Sequence, residues 1–310
     1  MGKTALFFPG QASQYVGMGK DLHEHSAEVR ALYELASHEL KVDLARLSFE
    51  GPAEQLKQTR FTQPAILVHS LAVMRILGED LPPFDFAAGH SLGEYGALAA
   101  AGALSFEDAI RAVVRRATLM EQACVAQPGT MAAMMGMSED QVIELCAKAS
   151  SAGIVVPANF NSNAQIAVSG SLAGVNEAVR IAKEMGAKRA IVLEVGGAFH
   201  SPLMASAQQG MKEFLSTLQI NSPRVPVVAN VSAAPVSDPA KIRELLVAQI
   251  TSPVKWSQSM TTLVSVGVTR IIEIGPGKVL TGLAKREMTP ESMTNLDTLA
   301  DIQAFSAAVA

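Results

Sequence analysis

The stretch 84–104, "FDFAAGHSLGEYGALAAAGAL", constrains this chain more than any other. A short apolar run ends in Gly89-His90-Ser91-Leu92-Gly93, and an alanine-rich run follows at once. Strand, G-x-S-x-G and helix in that order are the context of a nucleophile elbow, a sharp turn that presents a serine hydroxyl at the carboxyl end of a sheet. The flanking glycines leave room for the turn to close. The helix N-terminus favours negative charge developing beside the serine. The competing reading is a helix cap on a glycine turn. The alanines are a matter of packing: small side chains on all faces let the helix be buried, which holds Ser91 still.

Two other apolar runs read as buried strands, "TALFF" at 4–8 before Pro9-Gly10 and "RIIEI" at 270–274 before "GPG". A polar loop, "GQASQYVGMG", and a helix from about Asp21 follow the first. Buried strands alternating with helices predict a parallel sheet covered on both faces. From Thr130 the order changes to β-α-β-β-α-β, the ferredoxin-like unit, bounded by "QPG" at 127–129 and "GG" at 196–197. The expected fold is therefore α/β: a hydrolase-like parallel-sheet domain of residues 1–126 and 197–310, with a ferredoxin-like α+β small domain inserted at 127–196. The alanine-rich tail after Met288 reads as a docked or fraying helix.

A serine hydroxyl needs a neighbouring base at neutral pH. Of the six histidines, His23, His25 and His38 lie in polar helical stretches, and His69 reads as a core residue of "AILVHSLAVMRIL". His90 points away from Ser91 in an extended segment and reads as support for the elbow. His200, in "VGGAFHSPLM", sits in a loop before Ser201-Pro202, which suit the N-cap and first position of a helix. A helix start there disfavours imidazolium and keeps the ring able to take a proton. Its alternative is a packed loop residue. No acid between Ser91 and His200 follows a sheet strand, Asp108, Glu139 and Asp140 being examples, so a dyad oriented by a neutral acceptor is expected.

The net charge of −4 argues against a nucleic-acid partner. Cys124 and Cys146 form no CxxC pair, which suits a reducing compartment and offers no zinc or disulfide framework. The first apolar run holds only five residues before Pro9, too few for a secretory signal, and no uninterrupted apolar stretch is long enough to span a membrane. A cytoplasmic protein in solution, with no membrane partner, is expected.

Taken as a set, "FPGQASQYVGMG", "GHSLGEY", "RRATLM", "NFNS", "GAFHSPLM", "QITSPVKW" and "EIGPGKVL" resemble the malonyl-CoA:acyl carrier protein transacylases of fatty acid synthesis. They are similar to the acyltransferase domains of polyketide synthases too, and the likeness covers nearly the whole chain. The resemblance implies that Ser91 takes the acyl group as an ester and that His200 is its base. It implies an oxyanion hole from the main-chain amides of Gln11 and Leu92, and a main-chain carbonyl at Gln249 that holds the imidazole. It implies Arg116 as a clamp on the substrate carboxylate. Helical register supports this last point. On a helix over 106–124, residues 106, 110, 113, 117, 120 and 124 make one apolar stripe, with Arg115 opposite it and Arg116 at its edge. Phe199 resembles the malonyl-type version of its motif, where a bulky ring crowds an α-methyl group; simple loop packing explains it equally.

The expected reaction is acyl transfer from malonyl-CoA to the thiol of an acyl carrier protein, with the coenzyme A thioester as substrate and no metal or redox cofactor. The expected protein is a monomer. Lys183, Lys188 and Arg189 could form a positive patch for an acidic carrier, or simply be solvated surface. The alternatives are an acyltransferase of polyketide synthesis, a serine esterase or thioesterase, and a non-enzymatic carrier-binding protein.

Overall fold

The structure is a computed structural model and describes residues 2–309. Its strands are β1 (Lys3–Phe8), β2 (Phe86–Gly89), β3 (Gly129–Met135), β4 (Val155–Ser162), β5 (Gln165–Ser171), β6 (Arg189–Val192), β7 (Val227–Val228), β8 (Pro235–Val236), β9 (Val268–Ile274) and β10 (Ser292–Leu296). The larger sheet has the order β10-β9-β1-β2-β7-β8, parallel except for β8. The smaller sheet has the order β4-β5-β3-β6 and is antiparallel throughout.

β1 lies inside the larger sheet, and Ala5 to Phe8 are fully buried. Successive strand residues face opposite sides, so Leu6 and Phe8 enter one apolar core while Ala5 and Phe7 enter the other. This explains why β1 reads as an unbroken apolar run rather than an alternating one. The small sheet turns one face to the helices Glu139–Ala149 and Leu172–Glu184, with Met134, Leu145 and Val175 between them. Met131, Ala158 and Ala167 join the core of the larger sheet instead. β4 is tied to the large sheet's side by main-chain bonds: Val254 N–H donates to Ala158 O and Phe160 N–H to Val254 O, each at 2.9 Å.

Every residue of the helix Gly93–Ala100 is buried. Its glycines permit backbone-to-backbone contact. A Cβ at Gly89 would land on the carbonyl of Gly93, and one at Gly93 on the carbonyl oxygen of Phe8. Gly93→Ala is therefore expected to cost about 1–3 kcal/mol through forced overpacking, measured as a lower thermal midpoint. An unchanged midpoint would show that the helix can stand off the sheet.

The sequence reading needs three corrections. "AKRAIVLEV" forms only the four-residue edge strand β6, whose Ile191 and Val192 are exposed. The tail holds a fifth parallel strand, β10, before its helix Leu299–Val309. The two-residue strands β7 and β8 carry too little pattern to be read. One stretch, Thr59–Asp80, is long and apolar enough to cross a membrane, and 83% of its apolar window is buried within the fold.

Candidate active site

Because the strands run parallel, the loops leaving their carboxyl ends emerge at one end of the sheet, where sites form in such folds. Gln11 follows β1, Ser91 follows β2 and Asn230 follows β7. They meet a segment from beyond the small sheet that carries His200, and a cleft of ≈ 300 Å³ opens above Ser91 and His200. Met131, Asn161 and Ala167 of the small sheet form part of its wall. Three larger surface hollows, of ≈ 630, ≈ 470 and ≈ 690 Å³, lie at residues 23–45, 264–289 and 208–248, away from this pair.

Ser91 Oγ lies 2.9 Å from His200 Nε2, bringing together residues 109 positions apart in the chain. His200 Nδ1 lies 2.8 Å from the main-chain oxygen of Gln249. A carbonyl only accepts, so Nδ1 carries the hydrogen and Nε2 offers its lone pair to the serine hydroxyl. Ser91 caps nothing: the helix after it has no side-chain cap bond, and its hydroxyl is engaged by His200 and Arg116. Both residues have left-handed backbones, φ 53° at Ser91 and 57° at His200, a conformation other residues than glycine seldom hold without support. Ser201 Oγ accepts from Leu203 N–H and starts the 3₁₀ turn Pro202–Met204.

His200 is nearly fully buried. Burial, and then the Arg116 charge, lower its pKa to about 3, so the ring is neutral. The helix-start explanation is secondary to these two causes.

Arg116 is fully buried, whereas Arg115 is exposed. The guanidinium does not line the cleft but sits beneath Ser91. Its Nη2 donates to Ser91 Oγ at 2.9 Å and to Gln249 Oε1 at 3.0 Å, and its Nη1 donates to Gln63 Oε1 at 2.6 Å. Its Nε has no partner, and no carboxylate lies within ion-pair distance among the described residues. The amides of Gln11 and Leu92 make no hydrogen bond among the described residues.

His90 does more than support the elbow. Its Nε2 lies 2.8 Å from Asn161 Oδ1 on β4, so the ring reaches across to the small sheet and lines the cleft. His69 is buried with Nε2 3.0 Å from Asp297 Oδ1. Phe199 is packed in the core and also faces the cleft.

The sequence reading missed three residues. Gln63 holds Arg116. Asn230 Oδ1 accepts from Ser91 N–H at 2.7 Å, and Asn230 Nδ2 donates to Gly89 O at 2.7 Å, which pins the left-handed turn. Glu94 lies buried in an otherwise apolar helix, a charge out of place that was the available signal. Gln249 contributes its side chain as well as its carbonyl, with Nε2 donating to Ser91 O at 3.0 Å and to Glu94 Oε2 at 2.8 Å.

A strained serine and a neutral histidine beside a buried guanidinium make a site for acyl chemistry. The chain matches the acyl transferase domain family over residues 6–301. It belongs to that family. This acyltransferase is 47% identical over 287 residues to the malonyl CoA-acyl carrier protein transacylase of Bacillus subtilis (strain 168), covering 92% of this chain and 90% of that protein. It is 41% identical to the protein of the same name from Staphylococcus aureus (strain MRSA252), covering 99% of each. The acyltransferase superposes on an acyl-carrier-protein S-malonyltransferase from Bartonella henselae with a TM-score of 0.94, at 40% identity and covering 100% and 99% of the two chains. It also superposes on a malonyl-transacylase in complex with a type II PKS acyl-carrier protein, with a TM-score of 0.92, 36% identity and 99% of each chain covered.

Proposed function

We propose that the protein moves a malonyl group from malonyl-CoA to the phosphopantetheine thiol of an acyl carrier protein, through an ester on Ser91. The observation that carries this reading is Arg116. A fully buried guanidinium held only by neutral amides and a hydroxyl is costly, because buried charges are normally paired. A substrate carboxylate supplies the direct contact with a negative charge that the guanidinium lacks, through the two parallel bonds its planar group offers.

As Ser91 Oγ attacks the thioester carbonyl, its proton passes to His200 Nε2. The oxyanion is received by the free amides of Gln11 and Leu92. The C–S bond breaks, and the imidazolium returns the proton to the departing coenzyme A thiolate. The carrier's thiol then repeats the sequence in reverse order, giving up its proton to His200 and releasing Ser91 Oγ as the hydroxyl. A carboxylate paired with Arg116 also cancels one cause of the low His200 pKa, so the base strengthens as the substrate docks. Every step is acyl or proton transfer between groups already named, and the proposal requires no metal or redox cofactor.

The same reading treats the parallel-sheet part, residues 1–126 and 197–310, as a hydrolase-like domain, and 127–196 as an inserted ferredoxin-like domain. It treats the protein as a cytoplasmic monomer. The carrier is that of fatty acid synthesis; a polyketide carrier is the second reading, favoured by the similar structure bound to a type II PKS carrier. Lys183, Lys188 and Arg189 are exposed and free to meet an acidic carrier.

Intact-protein mass spectrometry after mixing with a panel of acyl-CoAs tests the proposal. A malonyl adduct is expected, stable in buffer and discharged when a carrier bearing the phosphopantetheine thiol is added. Rapid loss to water without a thiol would identify a hydrolase instead. Competition between fatty acid and polyketide carriers for the loaded enzyme separates the two pathways.

A further inference from the structure

The helix that starts at the elbow buries one carboxylate, and the proposed mechanism does not use it. Glu94 is 3% exposed. Its Oε2 accepts from Gln249 Nε2 at 2.8 Å and from Asn230 N–H at 3.1 Å. Gln249 in turn presents Oε1 to Arg116 at 3.0 Å, so one amide separates the carboxylate from the guanidinium. The contact fixes which way the Gln249 amide faces. A carboxylate can only accept, so it takes the NH₂ end and leaves the oxygen for Arg116.

We propose that Glu94 is the resident counter-charge of the Arg116 clamp, which the substrate carboxylate displaces electrostatically, so that docking of a malonyl group is coupled to uptake of a proton at Glu94. This rests on the reading of Arg116 as the carboxylate clamp. With no substrate, the buried guanidinium and Glu94 balance each other across the Gln249 amide. When a second carboxylate arrives at Arg116, two negative charges share one cation in a dry site, and the one without direct contact to the guanidinium gives way by protonation. A donor lacking a carboxylate, such as acetyl-CoA, leaves Glu94 as it was.

The surroundings permit this. Burial raises the Glu94 carboxyl to about 7, against the opposing pull of the bonds from Asn230 and Gln249 and of Arg116. The other titratable groups near the pair are the Tyr95 hydroxyl next along the same helix, and the His200 and His90 rings, which feel the Arg116 charge. Burial holds both of these rings below the ordinary histidine pKa, and it holds the Tyr95 hydroxyl well above the ordinary tyrosine value. Glu94 is thus the group of this set that titrates near neutrality.

Glu94→Gln keeps an acceptor oxygen for Gln249 and Asn230 and removes the charge. The ratio of malonyl to acetyl loading from the two CoA esters is expected to rise about tenfold over wild type near pH 8.5, the size of one unit charge felt across a partly shielded interior. Near pH 5.5, where the wild-type carboxyl is already neutral, the two proteins are expected to give ratios within about twofold of each other. An unchanged ratio at pH 8.5, or an equal change at both pH values, overturns the proposal.

The wild-type protein provides a check that needs no variant. Calorimetry near pH 7.5 in buffers of different ionisation enthalpy should show more proton uptake on loading with malonyl-CoA than with acetyl-CoA, and equal uptake refutes the coupling. Arg116→Ala separates the two levels. If Arg116→Ala still prefers malonyl-CoA over acetyl-CoA as strongly as wild type, the clamp itself is wrong. If the preference is lost there while Glu94→Gln leaves the ratio untouched, only the counter-charge is wrong.

Discussion

Ser91→Ala is expected to abolish covalent loading from labelled malonyl-CoA. The substitution removes the one hydroxyl hydrogen-bonded to His200 Nε2 among the described residues, and acyl transfer through an ester has no second route without it. The fold should survive. The bonds that hold the turn run to the main chain of residue 91, from its N–H to Asn230 and to its carbonyl oxygen from Gln249 and the Glu94 amide. Circular dichroism of the variant should match wild type, and the mass spectrum after mixing should show unmodified protein. A retained label on a folded variant would point to another nucleophile and refute the mechanism.

The second large effect is one of selectivity. Arg116→Ala should lose malonyl-CoA as donor far more than acetyl-CoA. Charge-assisted bonds to a carboxylate contribute roughly 1.5–3 kcal/mol each, so each is worth about 10- to 150-fold, and a guanidinium offers two. Arg116→Lys should recover only part of the loss, because an ammonium on a flexible stem cannot form the parallel pair. Steady-state kcat/KM for the two donors measures this directly. Equal losses for both would mean that Arg116 only supports the site, by holding Gln63 and Gln249.

Much of this was legible because it is local. The apolar run, the paired glycines and the small-residue helix specify the elbow within 21 residues, and 100° helical register distinguished Arg116 from Arg115, now seen buried and exposed respectively. The β-α-β-β-α-β order of the small sheet was readable for the same reason, since each element carries its own pattern. Residues that act across the chain left weaker signals. Asn230 follows a strand of two residues, and nothing in "VVANVS" announces that its side chain grips a turn 139 positions away. Gln63 looks like one more residue of a buried helix until Arg116 is seen against it. β10 was missed because "SMTNL" has little apolar character, being an edge strand that is mostly half-exposed.

The division of labour between the two sheets has a consequence for how this protein diversifies. Ser91, the amides beside it and the Asn230 brace stand on the parallel sheet, while Met131, Asn161 and Ala167 of the antiparallel one form part of the chamber above them. Substitution in that second layer is expected to alter the room allowed to an acyl chain without touching the Ser91–His200 pair directly. Donor preference is thus expected to drift by ordinary point mutation in β3, β4 and β5, the segments to recombine when a different acyl donor is wanted.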